Sequence, residues 1–334
     1  MPPSKTVFLL GPGYVGLNII DNLLATDYTV TTLVRKPELG AKLTSLGVHT
    51  IGGTLADSDV ITAQVAKHDL TINTASSDDL PSVEAVLSGL RQRVKEGLPT
   101  KLIHTSGTGT FLDDAKGAYK SDVVYRDDDP STINTIPDTA LHRNVDLAII
   151  KAAQEFGDKA KLVLMVPPVV YGFNPKHERL SLAFPRLINY ALKQGYSGQV
   201  GKGANVWHKV HVCDLARAYM TLIEYLDSPA STEAVLSNPY FFTEDQWGEF
   251  TWNEAAEHVA RILHKMGKIR DTEIKPFEKE HYADAFGEFT EFAAGGNSRA
   301  RGVRLRELGW TPVEKDAWAC LEEDEIPFII ASQK

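Results

Sequence analysis

The sequence predicts a doubly wound α/β fold, a parallel sheet with helices on both faces and a smaller C-terminal lobe. The first observation is LLGPGYVG (residues 9–16), a glycine-rich loop set between strand-like TVFLL and a helical pattern of Val15, Ile19, Ile20, Leu23 and Leu24. The second is a regular alternation of apolar strand-like stretches with amphipathic ones through the first half of the chain. The third is the loss of that rhythm after Tyr171.

Each element follows in order. TVFLL (residues 6–10) is a short buried strand, and Gly11-Pro12-Gly13-Tyr14-Val15-Gly16 turns it into a helix. In that setting Gly11 permits the tight turn, Gly13 lets a pyrophosphate approach the backbone, and Gly16 lets helix and strand pack closely. The free N–H groups of the helix then face phosphate, so this is a dinucleotide loop rather than a bare turn. YTVTTLV (28–34), VHTIGG (48–53), LTINTAS (70–76) and KLIHTSG (101–107) are expected as strands two to five. SVEAVLSGLRQRVKEG (82–97) is a helix ending at a capping glycine. HRNVDLAIIKAAQEFG (142–157) is a second, leading into strand six, KLVLMVPPVV. Beyond it, FNPKHERLSLAFPRLINYALKQG is a loop with an amphipathic helix, and 238–294 is rich in aromatics and acids. VWHKVHVCDLARAYMTLIEYL (206–226) returns to a strand–helix pattern. The expected division is therefore a dinucleotide-binding domain over 1–172 with a return segment 206–236, and a substrate lobe over 173–205 and 237–334.

Composition narrows the function classes. The chain has 334 residues, 43% hydrophobic and 24% charged, enough for a substantial core. A net charge of −9 without a basic cluster argues against nucleic acid. Cys213 and Cys320 lack metal or redox spacing, and no metal site is expected. MPPSK is no signal peptide, and the most apolar run, 162–173, is short for a membrane span and carries two prolines. A cytoplasmic protein with a small-molecule substrate is expected, and a homodimer is compatible with this reading.

LLGPGYVG, TLVRKPE, IHTSGTG, PPVVYG, GKGANVWHKVHVCDLARAY and NSRARGVRLRELGWTP together resemble the extended and atypical branches of the short-chain dehydrogenase/reductase superfamily, epimerase/dehydratase-like and NmrA-like proteins included. The resemblance spans nearly the whole chain and implies a Rossmann domain that binds NAD(P). It implies that Gly11, Gly13, Tyr14, Val15 and Gly16 lie along the cofactor, that Asn73, Thr74, Ala75 and Ser76 pass its riboses, and that Pro167 to Val170, with Val169 among them, border the nicotinamide. Thr105 and Ser106 stand where the family places its catalytic serine. The end of strand two carries Arg35 and Lys36, with no carboxylate before Glu38. Acidic residues there suit the ribose hydroxyl of NAD, whereas cations suit the 2′-phosphate, so NADP(H) is the expected cofactor.

Two departures from the family bear on chemistry. Its Tyr-x-x-x-Lys pair occurs nowhere in the chain, and its place falls at His142 to Asp146. Four residues apart on a helix, His142 and Asp146 are expected to touch, the aspartate orienting a histidine that supplies the proton. Ser106 would bind the substrate oxygen. Tyr119 and Tyr125 lie in an earlier loop, and Lys151 lies further along the helix facing another way. Sugar-nucleotide members of the extended branch carry a diphosphate-binding arginine where this chain has Trp207. Phe173, Trp207, Tyr240 and Trp247 are thus candidates to line a site for an aromatic or otherwise apolar carbonyl or imine, or else to pack cores. Three functions remain open: an NADPH-dependent oxidoreductase, a non-catalytic NADP-sensing regulator, and an epimerase or dehydratase with tightly held cofactor.

Overall fold

The computed structural model describes residues 5–333. Seven strands make the central sheet: β1 (Lys5–Leu10), β2 (Tyr28–Val34), β3 (His49–Gly52), β4 (Leu70–Asn73), β5 (Lys101–Thr105), β6 (Lys161–Val166) and β7 (Tyr240–Phe242). They are parallel throughout, in the spatial order 7-6-5-4-1-2-3. The chain winds from β1 out to β3, then crosses back and winds the other way from β4. Where the direction reverses, between β1 and β4, a crevice opens beyond the strands' carboxyl ends.

The principal helices are α1 (Tyr14–Leu24), α2 (Pro37–Ser45), α3 (Ser58–Val65), α4 (Leu80–Lys95), α5 (Arg143–Phe156), α6 (Ala183–Gln194), α7 (Val212–Asp227) and α8 (Trp252–Lys265). Strands apolar on both faces require cover on both. Val7, Leu9, Ile72 and Ile103 pack under α1 and α7, while Phe8, Leu10, Leu102 and Leu164 pack under α3, α4 and α5. A third core, with Tyr171, Phe184, Trp207, Phe250 and Trp252, holds α6, α8 and residues 317–329 together as the lobe. Among the described residues no helix is long and apolar enough to cross a membrane.

Three boundaries differ from expectation, each for a physical reason. Strand six divides, because Pro167 and Pro168 have no N–H to donate. The ladder stops at Val166, and Val169–Tyr171 pairs instead with Lys209–His211. Tyr240–Phe242 belongs to the sheet rather than the lobe, pairing with Leu164 to Val166 as its edge strand. Val206–Trp207 belongs to the lobe rather than the sheet, pairing antiparallel with Phe250–Thr251.

The late NSRARG…LGW stretch is a clamp across these parts. The Arg304 guanidinium donates to the carbonyls of Asn238 (2.8 Å) and Tyr240 (2.6 Å) and lies over the Phe241 ring. Buried Asp127 accepts from the backbone N–H groups of Phe242 (2.9 Å) and Val303 (2.7 Å). Trp310 Nε1 donates to the Asp214 carbonyl at 3.0 Å.

Candidate active site

The glycine loop is built by close backbone approach. Gly11 has φ +100°, and a Cβ there would overlap the backbone of Thr74 and Ala75, which end β4 across the crevice. At Gly16 a Cβ would overlap the Gly11 carbonyl oxygen, so α1 packs back on its own loop. At Gly13 a Cβ would meet nothing within 4 Å: this is the open position. Gly13 precedes α1 in an extended conformation with no side-chain cap, leaving the first helical N–H groups for an anion. The Thr74 hydroxyl donates to the Gly11 carbonyl (2.7 Å) and holds the two strand ends in register. Ala75 N–H donates to Asn73 Oδ1 (3.1 Å), and Ser76 Oγ accepts from the Asp78 N–H (3.1 Å).

Two loop residues point elsewhere. The Tyr14 hydroxyl donates to the Gly172 carbonyl at 2.7 Å, tying the loop to the lobe. Burial pushes its phenol pKa up. Val15 packs against the core beneath α1.

A cavity of about 540 Å³ opens beside Gly11 to Gly13 and runs past Arg35, Lys36, Leu55, Ala75 and Arg179. Its charged lining residues are all cationic, Arg35, Lys36 and Arg179, in a chain of net charge −9. The side chains of Arg35 and Lys36 make no hydrogen bond or ion pair with any described residue. Arg179 went unread in the sequence because it lies beyond the dinucleotide-binding segments, in the lobe's first loop.

The contacts of His142 and Asp146 differ from the expectation. His142 caps α5 in the left-handed region, φ +67°, so its side chain leaves the chain before the first helical turn and does not share a face with Asp146. Its Nδ1 lies 2.7 Å from Oδ1 of Asp78 instead, and that hydrogen bond holds the Asp78 carboxyl below the usual carboxylate range. Its Nε2 approaches the turn after β5; a Cβ at Gly107 or Gly109 would stand 3.2 or 3.1 Å away. Nε2 has no partner among the described residues and is not sealed from solvent.

Asp146 is paired with Ser106, whose hydroxyl donates to Oδ2 at 2.9 Å. Both are buried, and burial pushes the Asp146 carboxyl up to about 7 although the Ser106 hydrogen bond opposes it. Ser106 therefore turns its hydroxyl into the interior rather than toward a substrate oxygen. The Thr105 hydroxyl is turned to the other face, 2.5 Å from the Tyr219 hydroxyl on α7. Pro167 borders this end through its carbonyl, which accepts from Thr108 N–H at 3.0 Å, and Val169 N–H donates to the His208 carbonyl at 3.3 Å. His104 is wholly buried beside Asn73 (3.1 Å), and burial, then the nearby His142, depress its pKa to about 3.

Three of the four candidate substrate aromatics have packing roles. Phe173 lies against Phe328, ring centroids 4.6 Å apart. Trp207 sits in the lobe core with Nε1 donating to the Gly296 carbonyl at 2.9 Å. Tyr240 is inside β7, and its hydroxyl accepts from Arg143 at 2.8 Å. Trp247 is on the surface. Large rings complete interiors efficiently, and that demand took precedence here. Tyr119 is exposed, Tyr125 stacks on Phe111 at 4.5 Å, and Lys151 is exposed on α5.

His211, Cys213 and Glu314 bring ligand-type atoms within 4.8 Å of one another. Those atoms are engaged locally: His211 Nδ1 accepts from Cys213 N–H (3.1 Å), and Glu314 accepts from Arg217 (2.8 Å).

This assembly of a glycine loop at a sheet's switch point, an anion-seeking cavity and a histidine–carboxylate pair is one found in dinucleotide-dependent enzymes. The chain is 30% identical to the oxidase ucsJ of an Acremonium species, the match covering 93% of both. No family-level sequence profile matches it. In fold it is similar to UDP-glucose 4-epimerase of Thermotoga maritima, at 14% identity, 99% and 100% coverage and a TM-score of 0.68. It is equally similar to UDP-glucuronic acid 4-epimerase of Bacillus cereus, solved with UDP-glucuronic acid and NAD, at 14% identity, 98% and 100% coverage and a TM-score of 0.68. The chain belongs to one family with the oxidase ucsJ, and its fold is that of the extended, epimerase/dehydratase-like short-chain dehydrogenase/reductases.

Proposed function

We propose that the protein is an NADP(H)-dependent oxidoreductase acting on a small, uncharged carbonyl or imine compound or the corresponding alcohol or amine. The observation that carries this reading is the cavity beside Gly13: its charged lining is wholly cationic, and Arg35 and Lys36 stand unpaired at the end of β2. A dinucleotide fits, with its pyrophosphate on the backbone at Gly13 and the N-terminus of α1, and a 2′-phosphate at Arg35 and Lys36. When bound, the nicotinamide supplies or accepts the hydride.

The chain's own part is the proton. Donation from His142 Nδ1 to Asp78 leaves Nε2 as the atom that exchanges a proton with substrate, donating it in reduction and taking it in oxidation. The Acremonium relative's designation as an oxidase is compatible with the same step run toward oxidation. The substrate class is supported by the glycine turn beside Nε2, where Gly107 and Gly109 come close to it and the apolar Leu141 packs at Gly109. With Phe173, Trp207 and Tyr240 in packing roles, an aromatic preference loses its support.

The test is a titration with both cofactors, followed by turnover against a panel of uncharged carbonyls, imines, alcohols and amines. NADPH is expected to bind at least about tenfold tighter than NADH, about 1.4 kcal/mol, with turnover of one panel member. Equal affinities would overturn the cofactor assignment. Tight NADPH binding without turnover of any panel member would instead favour a cofactor-sensing regulator.

A further inference from the structure

The segment after Gly172 leaves the sheet, crosses the outer surface of the dinucleotide-binding domain and returns to the lobe at α6. It is pinned where it crosses. Asn174 Nδ2 donates to Asn18 Oδ1 (2.7 Å), and Lys176 Nζ and His177 Nε2 (2.8 Å) both reach the Asp21 carboxylate on α1. Lys42 Nζ, on α2, donates to the Lys176 carbonyl at 3.3 Å. The His177 side chain is buried in this contact. A backbone bridge between Asn174 and Arg179 folds the segment back on itself. The turn delivers Arg179 to the wall of the cavity that holds Arg35 and Lys36. Its guanidinium is exposed and has no partner among the described residues.

We propose that Arg179 is the third arm of the 2′-phosphate clamp, supplied to the dinucleotide-binding domain by the substrate lobe. The inference rests on the NADP(H) reading above. A 2′-phosphate dianion has several acceptor oxygens, more than one guanidinium and one ammonium on the β2 side occupy, and a planar guanidinium can take two of those oxygens at once. The pyrophosphate has its own donors at Gly13 and α1, and the Lys42 contact holds the strap at α2, the helix that Arg35 and Lys36 precede. The lobe thus senses which dinucleotide is bound, because the strap that carries Arg179 is continuous with both Gly172, which accepts from Tyr14 of the glycine loop, and α6.

Adenosine 2′,5′-bisphosphate and 5′-AMP are the probes, since they differ only in the 2′-phosphate. In the full chain, Arg179→Gln is expected to weaken the bisphosphate about tenfold and leave AMP within about twofold, with unchanged melting temperature because the side chain is exposed. Asp21→Asn, which loosens the strap, is expected to weaken the bisphosphate selectively but less. The bisphosphate, and not AMP, is expected to slow tryptic cleavage after Lys176 and Arg179. An Arg179→Gln chain that binds both probes as before, or loses both alike, overturns the proposal. A parent chain that does not distinguish the probes, together with an Arg35→Gln chain that behaves like it, overturns the NADP(H) reading itself.

Discussion

At the glycine loop the critical contacts are backbone on backbone: Gly11 lies against Thr74 and Ala75, Gly16 against the Gly11 carbonyl, and Gly13 stands open. Around His142 they are side chain on side chain: His142 to Asp78 at 2.7 Å, Ser106 to Asp146 at 2.9 Å, Asn73 to His104 at 3.1 Å. The first end is specified by where side chains must be missing, a property of the local sequence. The second is specified by which of several polar groups find each other, across 64 residues for His142 and Asp78 and 40 for Ser106 and Asp146. Two alternative carboxylates stood within reach of one histidine, and a single backbone angle at the start of α5 selected between them.

The sharpest way to break the comparison is at the glycines. Gly11→Ala forces a side chain into the β4 backbone at φ +100°, a strain of about 1–3 kcal/mol before overlap is counted. It is expected to abolish measurable cofactor binding and to lower the melting temperature. Gly13→Ala meets open space, so it should leave melting unchanged while weakening the cofactor about tenfold or more. If the two variants melt alike, the loop is not held by close approach.

Next in size is the histidine. Once a substrate is in hand, His142→Phe should lower kcat about a hundredfold with NADPH affinity intact. Asp78→Asn should cost about tenfold, and Asp146→Asn little. If Asp146→Asn is the damaging change, the partner choice described above is wrong.

Asp146 has its own expected effect on stability. Its folded pKa, about 7, lies above the unfolded value of 3.8, so its proton stabilises the fold at low pH and that contribution is lost as pH rises through 7. Asp146→Asn removes the loss. Relative to the parent, urea unfolding should show the variant gaining about 2 kcal/mol between pH 5 and pH 8. A constant difference across that range would mean the carboxyl is not held protonated.

The smallest effect tests the aromatic reassignment. Trp207→Phe loses the hydrogen bond to Gly296 and should cost about 1 kcal/mol of stability, with kcat/KM unchanged within about twofold. A selective rise in KM would return Trp207 to the substrate site.

Much of this molecule was determined by local sequence. Strand–glycine–helix order, alternating apolar segments and the Arg35-Lys36 pair foretold the sheet, the switch-point crevice and the cationic wall, because turn geometry and burial of a strand depend on neighbours in the chain. Tertiary structure alone decided the rest. Tyr240–Phe242 joined the sheet as its edge strand, held there by Asp127 and Arg304 from distant segments, and its aromatic run is equally at home in a lobe core. Arg179 reached the cavity only because Asp21 and Lys42 pin a strap from the other lobe. His142 took Asp78 rather than Asp146 because a left-handed cap turned its ring away from the helix, and spacing along a chain carries no record of that angle.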